Sequence, residues 1–307
     1  MMPVASIIIT VYRRTTFLRE SVQSVITQSG MSRNDLEIII ISNTDISSLN
    51  LNADNVIYTE DRSVGEKLYL GINASHSELL FFLEDDDCFL PAKIETVLPF
   101  FSNERVGYVH NNALESNHIL LNEKAVERID FSWLDHQSFI SFSKKFWHLS
   151  GNMSSIAVKR SALDAKAIRN IQILPDIVIF PMVLIKGMQC IHINEPLTFI
   201  RKHSDNSTSF LFKEELAALA FKEGKFWLDY FKGKSVNLEK QNRALLLKRS
   251  LALGYSSVRL NEFKVEVKDI FLLFQYEFAT GFILNDIKFY VRKFLSKFES
   301  GAKVLIP

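Results

Sequence analysis

A chain of 307 residues that is 47% hydrophobic and 23% charged can bury one large core and a smaller lobe, which excludes a disordered or fibrous protein. Its formal net charge of +1 gives no electrostatic footprint for nucleic acid, so no nucleic-acid partner is expected. The near-neutral total hides an asymmetry, because from Leu211 onward lysine and arginine outnumber the acids.

The first half alternates short β-branched runs with helical patterns, the signature of a mostly parallel sheet flanked by helices in the α/β class. The chain opens Met1-Met2-Pro3-Val4-Ala5 and enters its first apolar run with no basic segment or small-residue cleavage site, so no signal peptide is read. Strands are predicted over residues 5–10, 36–42, 56–59 and 79–83. Between the first two, Leu18, Val22, Val25 and Ile26 recur at i, i+4, i+7 and i+8 and form one apolar helical face. Residues 64–74 supply a second helix, completing a Rossmann-like nucleotide-binding half over residues 1–100.

A second half, residues 101–210, is less regular. Strands are predicted at 106–110 and 154–158, around an aromatic-rich variable segment at 115–147. Helices follow at 161–170 and 177–186, the latter closed by Gly187, and short final strands at 189–194 and 197–201. Residues 211–307 read as a helical C-terminal region beyond a domain boundary near Phe210.

The most informative motif is Glu84-Asp85-Asp86-Asp87, directly after the apolar run 79–83. Four consecutive carboxylates repel one another, which is costly unless a divalent cation occupies the site. Pro91 and a helical run from Ala92 follow, so the acids sit at the carboxyl end of a buried strand, where open α/β sheets hold ligands. By itself the run reads as a metal site or as a solvated acidic turn. Cys88 and Cys190 have no metal-type spacing and read as plain thiols in a reducing, cytoplasmic compartment.

These residues carry a family resemblance. Ser6-Ile7-Ile8-Ile9-Thr10-Val11-Tyr12-Arg13-Arg14, then Phe17-Leu18-Arg19-Glu20-Ser21-Val22-Gln23-Ser24-Val25 with Gln28, resembles the opening of the family 2 inverting glycosyltransferases of the GT-A fold. Gly65-Glu66-Lys67, Gly71-Ile72 and the run from Leu83 to Lys93 are similar to the family's second helix and DxD segment, and the match extends through Arg201-Lys202-His203. The resemblance implies a nucleotide-diphosphate sugar held by the first half and a glycan or lipid-linked acceptor held by the second. It also implies Mg²⁺ or Mn²⁺ acting as a Lewis acid on the leaving diphosphate.

On that resemblance Thr10, Val11, Tyr12, Arg14, Ser42, Asn43, Lys67, Glu84, Asp85 and Asp86 line the donor site. Asp86 is the direct metal ligand and His203 approaches the metal. Ser42 stands where the family commonly has an Asp that binds the base, and a neutral hydroxyl makes a weaker, less selective contact. The acceptor-side base falls on Asp176 in Leu174-Pro175-Asp176-Ile177, which reads equally as a helix N-cap. Gly151-Asn152 opens a loop that lines the acceptor pocket. The departures from the family pattern leave a second reading open, a catalytically inactive nucleotide-sugar-binding scaffold.

In the tail, Ile283, Ile287, Tyr290, Val291, Phe294 and Phe298 share one helical face edged by Lys293 and Lys297. Such a stripe lies in a membrane interface, here the inner face of the cell membrane, or docks on protein, including a second copy as a homodimer.

Overall fold

A computed structural model describes residues 2–12, 15–115, 125–202, 214–252 and 267–281, side chains at 214–218 and 249–252 excepted. Arg14, His203 and the stripe beyond Ile283 lie outside the described residues.

The first half is β1 (Ala5–Val11), α1 (Leu18–Ile26), β2 (Leu36–Ser42), β3 (Asn55–Tyr58), α2 (Val64–Ala74), β4 (Leu79–Glu84), β5 (Cys88–Phe89) and α3 (Lys93–Val97). Ile7, Ile8 and Ile9 are fully buried on both faces of β1, as are Ile38 to Ile41 in β2. That is why these strands read as continuous apolar runs rather than as alternating ones. The apolar stripe of α1 buries Leu18, Val22 and Val25 against them.

The second half is β6 (Val106–Glu115), β7 (Val126–Ile129), α4 (Phe139–Ser150), β8 (Ile156–Lys159), α5 (Ala165–Ile168), α6 (Asp176–Ile185) and β9 (Gln189–Ile200). Among the described residues one sheet runs β3-β2-β1-β4-β8-β6-β9-β5, with β7 also paired to β9. β1 to β4 pair in parallel, β8 enters antiparallel between β4 and β6, and β9 runs parallel to β6.

β6 runs past the expected 106–110 to Glu115, and β5, β7 and α4 form where no element is predicted; three further differences have local reasons. The helix expected at 161–170 shrinks to α5, because the Asp164 carboxylate accepts the Ala167 N–H at 3.0 Å and starts a new turn there. β8 begins two residues late, since the Asn152 side chain caps a tight turn at Met153–Ser155. The two final strands fuse into β9, and the turn expected at Glu195-Pro196 is absorbed as register shifts where Asn111 and Asn112 of β6 pair with Ile193 and Pro196. A bulge tolerates a proline that cannot donate to the ladder.

The chain divides into two compact units, Met1–Trp133 with Leu149–Asn206, and Leu134–His148 with Ser207–Pro307. The second contains α7 (Glu214–Phe231), α8 (Val236–Ala252) and a helix at Val267–Thr280. There Arg243 forks both oxygens of the buried Asp269 at 2.7 Å. Asp135 ties Leu134–His148 into the same unit by accepting from the Ser235 hydroxyl at 2.8 Å and the Asn237 N–H at 3.0 Å.

Gly65, at the start of α2, donates its N–H to the Ile171 carbonyl at 3.0 Å. A Cβ there would stand 2.4 Å from the Ile168 carbonyl oxygen and 2.5 Å from that of Ile171, both backbone atoms that cannot swing aside. Gly65→Ala is expected to cost about 3 kcal/mol, the upper end for overpacking, read as a lower midpoint in urea unfolding.

Candidate active site

The acidic run divides by direction at the end of β4. Glu84, Asp86 and Asp87 each offer a carboxylate oxygen, all within 4.8 Å of one another. Asp85 turns toward β1, where its Oδ2 accepts the Tyr12 N–H at 3.0 Å, and its carbonyl accepts the Ser21 hydroxyl of α1 at 3.0 Å. The acidic turn thereby anchors the loop after the first strand.

Burial is the main charge on this cluster. It pushes the Glu84 carboxyl well above the ordinary carboxylate range, and the neighbouring Asp87, Asp86 and Asp176 push it further. Burial likewise raises Asp87 to about 6, with the Asp86 charge adding to it. Asp87 Oδ1 accepts the Arg201 N–H at 3.1 Å, while its buried Oδ2 has no hydrogen-bond partner among the described residues. Three hard oxygen donors, one of them an orphaned buried carboxylate oxygen, fit a divalent cation.

Positive charge braces the cluster from behind. Arg201 also donates through Nε to the Asp86 carbonyl at 3.2 Å and pairs with Glu20. Lys93 is fully buried and donates to the Ser154 carbonyl and, at 2.8 Å, to Thr198 Oγ1. Ser154 in turn accepts the Glu84 N–H at 3.0 Å through its hydroxyl.

Beside the acids, Lys67 of α2 reaches the loops after β1 and β2. Its Nζ donates to Asn43 Oδ1 at 3.3 Å and lies 4.8 Å from the centroid of the half-exposed Tyr12 ring. Burial lowers the Lys67 ammonium to about 8, against the opposing pull of Asp85 and Asp61. Ser42 is buried, and its hydroxyl both donates to the Thr44 carbonyl at 2.8 Å and accepts the Thr44 N–H at 3.1 Å, so it shapes its own turn. Thr10 pairs in register with Glu84, and Val11 is fully buried in the core. The structure thus brings Tyr12, Asn43, Lys67, Glu84, Asp85 and Asp86 together.

Asp176 is the first residue of α6, with Pro175 at the cap position. Its Oδ1 accepts the Ile177 N–H at 3.0 Å and its Oδ2 the Asn152 N–H at 3.1 Å. Its charge reaches Glu84, so it lies near the acidic cluster. Next to it a cavity of about 390 Å³ is lined by His110, Asn111, Asn112, Gly151, Asn152 and Ser155, among others. Lys93, His110, Asn111 and Ser154 join the site without a motif that singles them out in the sequence. The available signal was the polar His110-Asn111-Asn112 run at the carboxyl end of β6, the edge where such sheets bind ligands. Lys93 gave none, since a lysine in a helix ordinarily reads as solvated.

A sheet that presents acids, a lysine and a nearby carboxylate at its carboxyl edge is the GT-A arrangement, and comparison with known proteins agrees. The chain belongs to glycosyl transferase family 2, whose description matches residues 6–165, more than half of the chain. Among solved structures, residues 1–349 of S. aureus TarS in complex with UDP-GlcNAc superpose with a TM-score of 0.56 at 14% identity, covering 93% of this chain and 81% of that one. The mannosyltransferase PcManGT from Pyrobaculum calidifontis, in complex with GDP-Man and Mn²⁺, gives 0.52 at 14% identity, covering 95% and 83%. Against the S. aureus TarS structure without that truncation, this chain covers 49% of the partner. At these identities the likeness concerns the fold. No curated protein matches the sequence.

The depressed lysine makes a stability prediction. A lysine whose folded value of about 8 lies below its ordinary 10.5 costs stability below pH 8, and the cost fades as pH rises toward 10.5. Lys67→Met is therefore expected to raise the melting temperature at pH 7, with the gain shrinking steadily above pH 8 in a melting series.

Proposed function

We propose that the chain is a metal-dependent, inverting hexosyltransferase that moves a sugar from a nucleotide-diphosphate sugar to a hydroxyl of a glycan, a polysaccharide or a lipid-linked acceptor. The observation that carries this reading is the Asp176 carboxylate lying near the Glu84, Asp86 and Asp87 cluster across the Asn152 loop. Similar folds in complex with UDP-GlcNAc and with GDP-Man and Mn²⁺ support the donor class and the ion.

In this reading Tyr12, Asn43 and Lys67 hold the nucleotide, with Arg14 from outside the described residues, while Asp85 anchors the Tyr12 loop and Thr10, Val11 and Ser42 shape the strand ends behind it. Glu84 and Asp86 anchor Mg²⁺ or Mn²⁺, with His203 as a further ligand, and Asp87 supports them from its buried position. When bound, the ion supplies Lewis-acid stabilisation of the diphosphate leaving group. Lys67 adds a point charge to that diphosphate. Asp176 accepts the proton of the acceptor hydroxyl as its oxygen bonds to the anomeric carbon and the bond from that carbon to the diphosphate oxygen breaks. Displacement from the opposite face inverts the configuration. Two backbone N–H groups, of Asn152 and Ile177, aim the Asp176 carboxylate.

The test joins binding to turnover. UDP or GDP with Mn²⁺ is expected to raise the melting temperature, and Asp86→Ala is expected to abolish the metal-dependent part of the shift. Asp176→Asn is near-isosteric, gives up one of the two accepted N–H bonds, and should leave that shift intact while lowering transfer by about 10²–10⁴-fold. A native chain that binds nucleotide sugar but transfers nothing, even to water, supports the scaffold reading instead.

No helix among the described residues is long and apolar enough to cross a membrane. On the helix Val267–Thr280, however, Val267, Ile270, Phe271, Phe274 and Phe278 are all exposed and lie along one side. We propose that this face works at the cytoplasmic inner face of the membrane or pairs two copies of the chain. Anionic vesicles should co-sediment the full chain and release a Phe271→Glu/Phe274→Glu variant; if vesicles bind neither, a dimer in the native protein that the variant loses selects the second reading.

A further inference from the structure

We infer that the buried imidazoles of His110 and His192 position the Asp176 carboxylate, and that they act through a single peptide group, the one joining Gly151 to Asn152. The inference rests on Asp176 being the base. His110 Nε2 lies 2.6 Å from the Gly151 carbonyl oxygen. A carbonyl oxygen only accepts, so Nε2 carries a proton and donates. The N–H on the other side of the same peptide belongs to Asn152 and donates to Asp176 Oδ2 at 3.1 Å. Donation into one end of a peptide strengthens donation from its other end, so the two bonds reinforce each other.

His192 sets the state of His110. The two Nδ1 atoms are 3.0 Å apart and the ring planes lie within 23° of each other with centroids 5.2 Å apart, an edge-to-edge arrangement of two rings nearly without exposure. One hydrogen is shared across that gap. With the His110 proton held on Nε2, His192 Nδ1–H donates to His110 Nδ1, and the pair thereby selects the tautomer of His110 that holds Gly151.

The peptide needs this hold because its conformation is unfavourable. Asn152 has φ of +70°, a region that a residue other than glycine occupies at a cost. Three bonds fix it there: His110 to the Gly151 carbonyl, the Asn152 N–H to Asp176, and the Ser154 N–H to Asn152 Oδ1 at 2.7 Å. Losing the first frees the peptide to rotate and takes a donor from Asp176. Misplacing a reacting group by about 1 Å costs up to about 10²-fold in rate.

Two substitutions of similar polarity separate this role from packing. Gln places an amide N–H near the site of imidazole Nε2, whereas Asn places one near Nδ1, facing His192 but short of Gly151. With UDP-GlcNAc and GDP-mannose as probes and water as the acceptor, His110→Asn is expected to slow nucleotide release about tenfold, while His110→Gln stays near the native rate. Both should keep the native affinity for UDP with Mn²⁺. Added to Asp176→Asn, the His110→Asn change should cost nothing more, because both act on the same base. Equal loss in the Gln and Asn variants, no loss in the Asn variant, or a further full loss in the Asp176→Asn background overturns the inference and leaves the transferase reading standing. Native turnover by Asp176→Asn alone, or no release from either sugar by the native chain, sinks the reading of Asp176 on which the inference rests.

Discussion

The carboxylates of Glu84, Asp86 and Asp87 are held within 4.8 Å of one another at the end of a buried strand, and the rest of the site is arranged around that cost. Charges this close repel strongly wherever water is excluded. The described residues offset part of it from two directions: Arg201 donates to the Asp87 carboxylate and the Asp86 carbonyl, and the charge of Lys93, buried behind Ser154, acts on Asp87. The offset is incomplete, as the raised values of Glu84 and Asp87 and the orphaned Asp87 Oδ2 show. In the proposed reading a divalent cation would relieve that residual repulsion, which would add to its binding energy.

The same few residues couple the two sides of the site. From Gly151 to Ser154 the chain accepts from His110, donates to Asp176, caps its own turn through Asn152, and receives both Glu84 and Lys93 at Ser154. The acidic cluster and the Asp176 carboxylate are thus both tied to one short segment rather than to two independent loops. Relative placement of reacting groups matters more than the strength of any one bond. The positive φ at Asn152 is the local strain that this placement requires.

Legibility followed the physics of each element. β2 and α2 were readable to the residue, because a doubly buried strand and a Ser63-capped helix carry strong local signals. The acidic run was readable because charge repulsion makes it improbable without a purpose. The fusion into β9 was not, since Pro196 reads as a break and only the long pairing with β6 turns it into a bulge. Nor were Lys93 and His110. Each derives its role from partners far along the chain, Thr198 and His192, and no local pattern encodes such contacts. The roles of Asp176 and Lys67 depended on the family resemblance, and the structure adds their bonds and surroundings.

Ser42 and Lys67 are best understood together. The family commonly carries a carboxylate where Ser42 stands, next to the Asn43 that bonds the Lys67 ammonium. The Ser42 hydroxyl is committed to Thr44, and the counter-charges Asp85 and Asp61 do not offset the burial of Lys67, so its ammonium is left near 8. An under-neutralised, buried cation gains more from an incoming diphosphate than one already paired, because the desolvation has been met in the folded protein. In the proposed reading Lys67 therefore directs donor binding toward the diphosphate, while the Ser42 hydroxyl is turned to its own loop.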